Sequence, residues 1–220
     1  MRFLCFHGMG TNGYVFERQT ATLRQALGRT HEFVFLTGRV PSRAPGEACE
    51  YISSPPSESV TYRFLGEDQE TNMALLNDLV RSVLELGPFD GVMGFSEGGA
   101  VAASLLVEDS RRPFARFRCG IFLSAARPPD PDNIMTGSDR RLDFSTDGVV
   151  LNIPTAHIWS PSGDICPGMG RKLALLCNQT LREEFVHLLG HQVPGPVSDE
   201  FLSGTIKAIE RTVERARASG

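Results

Sequence analysis

The stretch GFSEGG, residues 94–99, sets a serine between glycines with an acid directly after it. A Gly-x-Ser-x-Gly pattern suits a sharp strand-to-helix turn, where glycine is needed because turn, strand and helix crowd together. FDGVMGF before the serine reads as a strand, and AVAASLLVE after it as a helix of small and apolar residues. Ser96 is therefore expected to be a nucleophile exposed on that turn. The rival reading is a glycine-rich phosphate loop, but this turn carries neither the phosphate-loop lysine nor a GxGxxG pattern.

A serine hydroxyl attacks well only when a base takes its proton. The chain has five histidines: His7, His31, His157, His187 and His191. In an open α/β sheet, function gathers past the carboxyl ends of the strands. That favours His7, after the first strand, and His191, in the loop GHQVPG after the last one. His191 is expected to be the base. His157 and His187 fall inside apparent strands and read as packed or hydrogen-bonded residues. A metal pair at His187 and His191 would need one helix, which EEFVHLL followed by Gly190 does not suggest.

The base in turn needs a carboxylate to hold its tautomer. Asp164 lies in WSPSGDICPG, just past the strand IPTAHIW. Its rivals Asp130, Asp132, Asp143 and Asp147 sit in one polar stretch and read as solvated turn residues. The order Ser96, Asp164, His191 is that of α/β-hydrolases. Negative charge on the tetrahedral oxygen calls for preorganised N–H groups. Glu97, next after the nucleophile, should give one. The loop HGMG after the first strand should give another, with Met9 favoured and Gly10 next. His7 then braces that loop. The Glu97 carboxylate opposes an anionic intermediate unless it points away or is paired.

The elements that must position these residues alternate between strand and helix. RFLCF (2–6), EFVFL (32–36), RCGIFLSA (118–125) and IPTAHIWS (153–160) read as strands, with EEFVHLL (183–189) as the last. Helices are expected over 14–27, 67–87, 171–179 and 199–218, with 126–148 as loop. Short apolar strands of this kind suit a mainly parallel sheet covered by helices on both faces. The aperiodic stretch 38–66, rich in Pro, Ser and Gly, is expected to be a lid or substrate rim within a single domain spanning 1–220.

The 220 residues carry a formal net charge of −4, which gives no footprint for nucleic acid. No apolar run approaches the roughly 20 residues of a membrane span, and MRFLCFHG lacks the features of a signal peptide. The five cysteines, Cys5, Cys49, Cys119, Cys166 and Cys177, are odd in number and form no CxxC pair. Reduced thiols in a cytoplasmic enzyme are expected. Cys5 and Cys119 read as core, and no such turn surrounds Cys166, so cysteine catalysis is disfavoured.

FLCFHGMGTNG, GFSEGGAVAA, HIWSPSGDICPG and HLLGHQVP together resemble the fungal-type serine hydrolases called FSH hydrolases, compact α/β-hydrolases, over nearly the whole chain. The resemblance puts the nucleophile, acid and base on Ser96, Asp164 and His191, with the oxyanion loop at the early His-Gly. It implies no metal or organic cofactor. It implies hydrolysis of an ester or thioester, and leans toward release of a polyketide acyl chain from a synthase's carrier domain. A general small-ester carboxylesterase is the alternative, and a non-catalytic hydrolase-like binding protein a further one. Two departures stand out. The family commonly has glutamine where this chain has Glu97, and SPSGD replaces the commoner Gly-x-x-Asp before the acid. Arg39, Arg43, Arg127 and Arg171 are candidates for a basic patch facing an acidic carrier.

Overall fold

The computed structural model describes residues 1–42, 60–136, 140–165, 167–196 and 198–219. Its centre is a six-stranded parallel sheet built from β1 (Arg2–Phe6), β2 (Glu32–Leu36), β5 (Gly91–Phe95), β6 (Cys119–Leu123), β7 (Thr155–Trp159) and β8 (Arg182–Val186), in the order β2-β1-β5-β6-β7-β8. This is the expected α/β-hydrolase fold, with a parallel central sheet flanked by helices. Side chains alternate across each strand. Leu4, Phe6, Val92 and Phe122 feed one buried cluster. Phe3, Cys5, Met93, Phe95, Ile121 and Leu123 feed the other. Both faces are therefore dry, and the strands read as unbroken apolar runs.

Helix α4 (Glu97–Arg111) and α3 (Gln69–Leu86) cover the first face, where Val83, Val101 and Leu105 are buried. On the second face Phe16 of α1 (Gly13–Gln19), Leu23 of α2 (Ala21–Ala26), and Ile209 and Val213 of α8 (Asp199–Ala218) pack against the sheet. The chain order reverses at β1, with β2 on one side and β5 on the other. Loops leaving the carboxyl ends of β1 and β5 run to opposite sides and therefore flank a switch point, the usual place for a ligand in such sheets.

Several expected elements are revised. The helix expected over 14–27 breaks at Thr20, whose hydroxyl donates back to the Phe16 carbonyl at 2.8 Å and whose backbone leaves helical geometry. The expected loop 126–148 holds two short helices, α5 (Pro131–Thr136) and α6 (Phe144–Asp147). A proline at the first helical position and the Asp143 cap, which accepts from Ser145 N–H at 3.0 Å, start them. The helix after the serine turn begins at Glu97 rather than Ala100, and the one expected over 171–179 is α7 (Met169–Leu175). Within the stretch expected as a lid, β3 (Val40–Ser42) and β4 (Thr61–Arg63) form an antiparallel ribbon. Residues 43–59 of that stretch lie outside the described residues.

Candidate active site

β5 delivers Ser96 with φ 55° and ψ −121°, a backbone geometry that non-glycine residues hold at a cost of about 1–3 kcal/mol. The surrounding glycines make room. A Cβ on Gly94 would lie 2.5 Å from the Gly98 carbonyl oxygen, and one on Gly98 would lie 2.3 Å from the His7 carbonyl oxygen. The first turn of α4 thus sits directly on the loop that leaves β1. Ser96 holds the N-cap position of α4, yet its side chain makes no capping bond. Its Oγ instead lies 2.9 Å from His191 Nε2.

His191 arrives on the loop after β8, and its Nδ1 lies 2.7 Å from Asp164 Oδ1 on the loop after β7. The two side chains are only 8% and 5% exposed, which favours pairing over solvation. With Nδ1–H donated to Asp164, Nε2 keeps a lone pair for the serine hydroxyl. Gly163 and Gly190 hold the two loops in register. Both have left-handed φ, and a Cβ on Gly190 would lie 2.5 Å from the Gly163 carbonyl oxygen. Ser96, Asp164 and His191 are therefore brought together from three strand ends, and SPSGD presents its aspartate to the base without the commoner spacing.

The remaining histidines lie elsewhere. His7 is buried, its Nδ1 2.7 Å from the Gly8 carbonyl oxygen, while its Nε2 accepts from Gly38 N–H at 2.9 Å. Burial pushes its pKa down to about 4, so it braces the loop as a neutral ring. His157 and His187 are buried, with pKa values pushed by burial down to about 3 and about 4. His187 stands just past β8 rather than inside it, and its Nδ1 accepts from Leu189 N–H. Burial pushes the Cys119 and Cys177 thiols up to about 12, away from thiolate chemistry. Cys49 and Cys166 lie outside the described residues.

Of the rival aspartates, Asp132 and Asp143 stay solvated, while Asp130 and Asp147 are largely buried, contrary to expectation. Asp130, 5% exposed, bonds Arg111 and Arg140 at 2.6 Å each. Asp132 bonds Arg111 and Arg112, Asp143 bonds Arg127, and Asp147 bonds Arg140. The arginines that hold them were a sequence signal of their own: Arg111, Arg112 and Arg140 stand in Arg-Arg pairs, although Arg141 bonds the Arg127 carbonyl and not an acid. Arg39 and Arg127, two candidates for the basic patch, are bound to Asp78 and Asp143, and Arg43 lies outside the described residues.

Around the expected oxyanion position, Gly10 N–H donates to the Tyr62 carbonyl at 2.9 Å, which removes Gly10 and leaves Met9 as the candidate donor of its loop. Glu97 opens α4, where the first N–H groups have no partner within the helix. Its carboxylate is neither exposed nor free. Oε1 accepts from Arg63 Nη2 at 2.9 Å and Nε at 3.2 Å, and Oε2 accepts from Phe64 N–H at 2.9 Å. Arg63 escaped the sequence reading, because it lies in the aperiodic stretch far from the serine turn. The one available signal was the acid itself, which needs a cation beside a site for negative charge.

Comparisons with known proteins show the fold and the family of the chain. The maize acyl-protein thioesterase 2 structure superposes with a TM-score of 0.61 at 16% identity, covering 96% of this chain and 93% of that one, a likeness of fold. Esterase FUS5 of Gibberella moniliformis is 28% identical over 234 residues, covering all of this chain and 91% of that protein. Esterase FPY3 of Fusarium mangiferae is 32% identical over 220 residues, 98% of each chain. The profile described as serine hydrolase (FSH1) matches residues 1–200. With a hydrogen-bonded serine, histidine and aspartate past the carboxyl ends of three strands and that match over most of its length, the chain belongs to the FSH1 serine hydrolase family.

Proposed function

We propose that this serine hydrolase transfers acyl groups to water through Ser96, His191 and Asp164. The observation that carries the reading is the unbroken relay from Ser96 Oγ to His191 Nε2 at 2.9 Å and from His191 Nδ1 to Asp164 Oδ1 at 2.7 Å. Ser96 Oγ attacks the carbonyl carbon as its proton passes to His191 Nε2. Asp164 stabilises the resulting imidazolium without taking its proton. The Met9 and Glu97 N–H groups donate to the oxyanion, aided by the positive end of α4. The intermediate then collapses, and His191 protonates the departing alkoxide or thiolate. Water repeats the sequence on the acyl-serine and frees the acid.

The finer reading is hydrolysis of a carrier-bound acyl thioester, with transient contact to a synthase's carrier domain. The family resemblance supports it, while the neutralisation of Arg39 and Arg127 does not add to it. A fluorophosphonate probe tests the nucleophile: wild type labels, and labelling that survives Ser96→Ala overturns the assignment. A panel of simple esters, acyl thioesters and carrier-bound acyl chains tests the substrate. Preference for the carrier-bound chains supports chain release, and equal or better turnover of simple esters makes the protein a general carboxylesterase.

A further inference from the structure

Tyr62 and Arg63 of the ribbon and Phe64 just past it fasten both segments that carry the proposed oxyanion donors. On the Met9 side, Tyr62 accepts from Gly10 N–H at 2.9 Å and donates its own N–H to the Thr11 carbonyl at 2.8 Å. On the Glu97 side, Arg63 and Phe64 bond the two carboxylate oxygens. Phe64 also lies against His7, with ring centroids 4.6 Å apart, and Gly38, just before β3, donates to the same histidine. One short ribbon therefore spans the whole cradle.

From this geometry we infer that Arg63 is the positioning residue of the oxyanion hole: it neutralises Glu97 and, through it, sets the N–H donor at the head of α4. The inference rests on the proposed role of the Met9 and Glu97 N–H groups. The argument is electrostatic. A carboxylate stays close to the N–H of its own residue, so an unpaired Glu97 opposes the charge that this N–H is there to receive. The pair is only 25% exposed at Arg63 and 11% at Glu97, so water screens little of the opposition. Arg63 contributes two nitrogens to one oxygen, a contact that a planar guanidinium makes with a fixed direction.

A salt bridge that only held the fold would lose about the same when either partner is removed. Charge compensation predicts asymmetry. Arg63→Gln leaves a bare carboxylate beside the developing oxyanion and is expected to lower kcat about 30-fold, with KM changed less than about threefold. Glu97→Gln leaves no opposing charge and is expected to cost kcat about threefold. The double variant R63Q/E97Q is expected to regain at least about fivefold over R63Q alone. Arg63→Lys, which keeps the charge, is expected to stay within about threefold of wild type. Steady-state kinetics on a simple ester, with thermal unfolding of each variant alongside, reads all four.

Equal losses for R63Q and E97Q, or a double variant no better than R63Q, overturn the inference. If R63Q does not fold, R63K and the uncharged double carry the test, and a loss above about tenfold in kcat for R63K overturns it. Ser96→Ala is run in the same assay. Loss of turnover there with symmetric losses at 63 and 97 removes this inference alone, whereas turnover surviving S96A removes the proposed mechanism and this inference with it.

Discussion

Helix α4 carries a well-buried acid near each end, and the two are satisfied in different ways. Near the C-terminus, Asp109 is 6% exposed and accepts four backbone N–H groups, from Phe114, Ala115, Arg116 and Phe117, at 2.8–3.1 Å. It works against the helix dipole but organises the turn that leads into β6. At the N-terminus, Glu97 sits where the dipole favours it, yet its main partner Arg63 is 34 residues away in sequence. A carboxylate answered by its own neighbouring backbone shapes one local turn. A carboxylate answered from across the molecule ties two elements together at the place where chemistry is proposed.

The sharpest way to separate the two ends is Ser96→Ala. It is expected to lower kcat/KM at least about 10⁴-fold while the unfolding midpoint moves little, because the hydroxyl serves the relay and not the helix cap. A large drop in thermal midpoint would instead give Ser96 a role in the fold. Asp109→Ala should do the reverse. Losing the acceptor for four N–H groups is expected to cost about 3 kcal/mol in chemical denaturation, with kcat per folded molecule unchanged. A reduced kcat at full folding would break the contrast between the two ends.

Acid should strike the Ser96 end through His7. Its ring is neutral when folded, with a pKa of about 4, against about 6.5 in the unfolded chain. The unfolded state therefore binds the proton first. The contribution to stability is intact above pH 6.5 and falls by up to about 1.4 kcal/mol per pH unit down to about 4. His157 and His187 shift in the same direction, so the measured slope should exceed one proton. Urea unfolding at pH 7, 6 and 5 reads it, and a flat profile contradicts the neutral buried rings. The smallest effect is expected at Arg112→Gln, next to Asp109 on the surface. Its guanidinium is 52% exposed and pairs Glu108 and Asp132, so a loss of only about 0.5 kcal/mol is expected. A loss as large as that of D109A would show that the surface network, not the buried acceptor, holds this end.

What could be read from the residues follows from how locally each feature is determined. β1 and β5 were legible because two dry faces make unbroken apolar runs, and α8 because its caps and amphipathic spacing coincide. The relay was legible because each member sits at the end of a recognisable strand. The ribbon β3–β4 was not: its strands are three residues each, too short for a period to declare itself, and its pairing depends on a partner 19 to 23 positions away. The Thr20 break depends on one side chain turning back to a carbonyl, a choice that helical spacing does not record. Arg63 was hidden for the same reason as the ribbon that carries it.

The contact between Gly163 and Gly190 has a consequence for how this site tolerates change. The acid loop and the base loop touch through bare backbone, with no side chain between them to yield. A residue inserted in one loop would pull Asp164 and His191 apart, and no rotamer at the contact is there to absorb the shift. Relatives that lengthen the loop carrying the aspartate should therefore show a matching change in the loop carrying the histidine, so that the two segments behave as one inherited part.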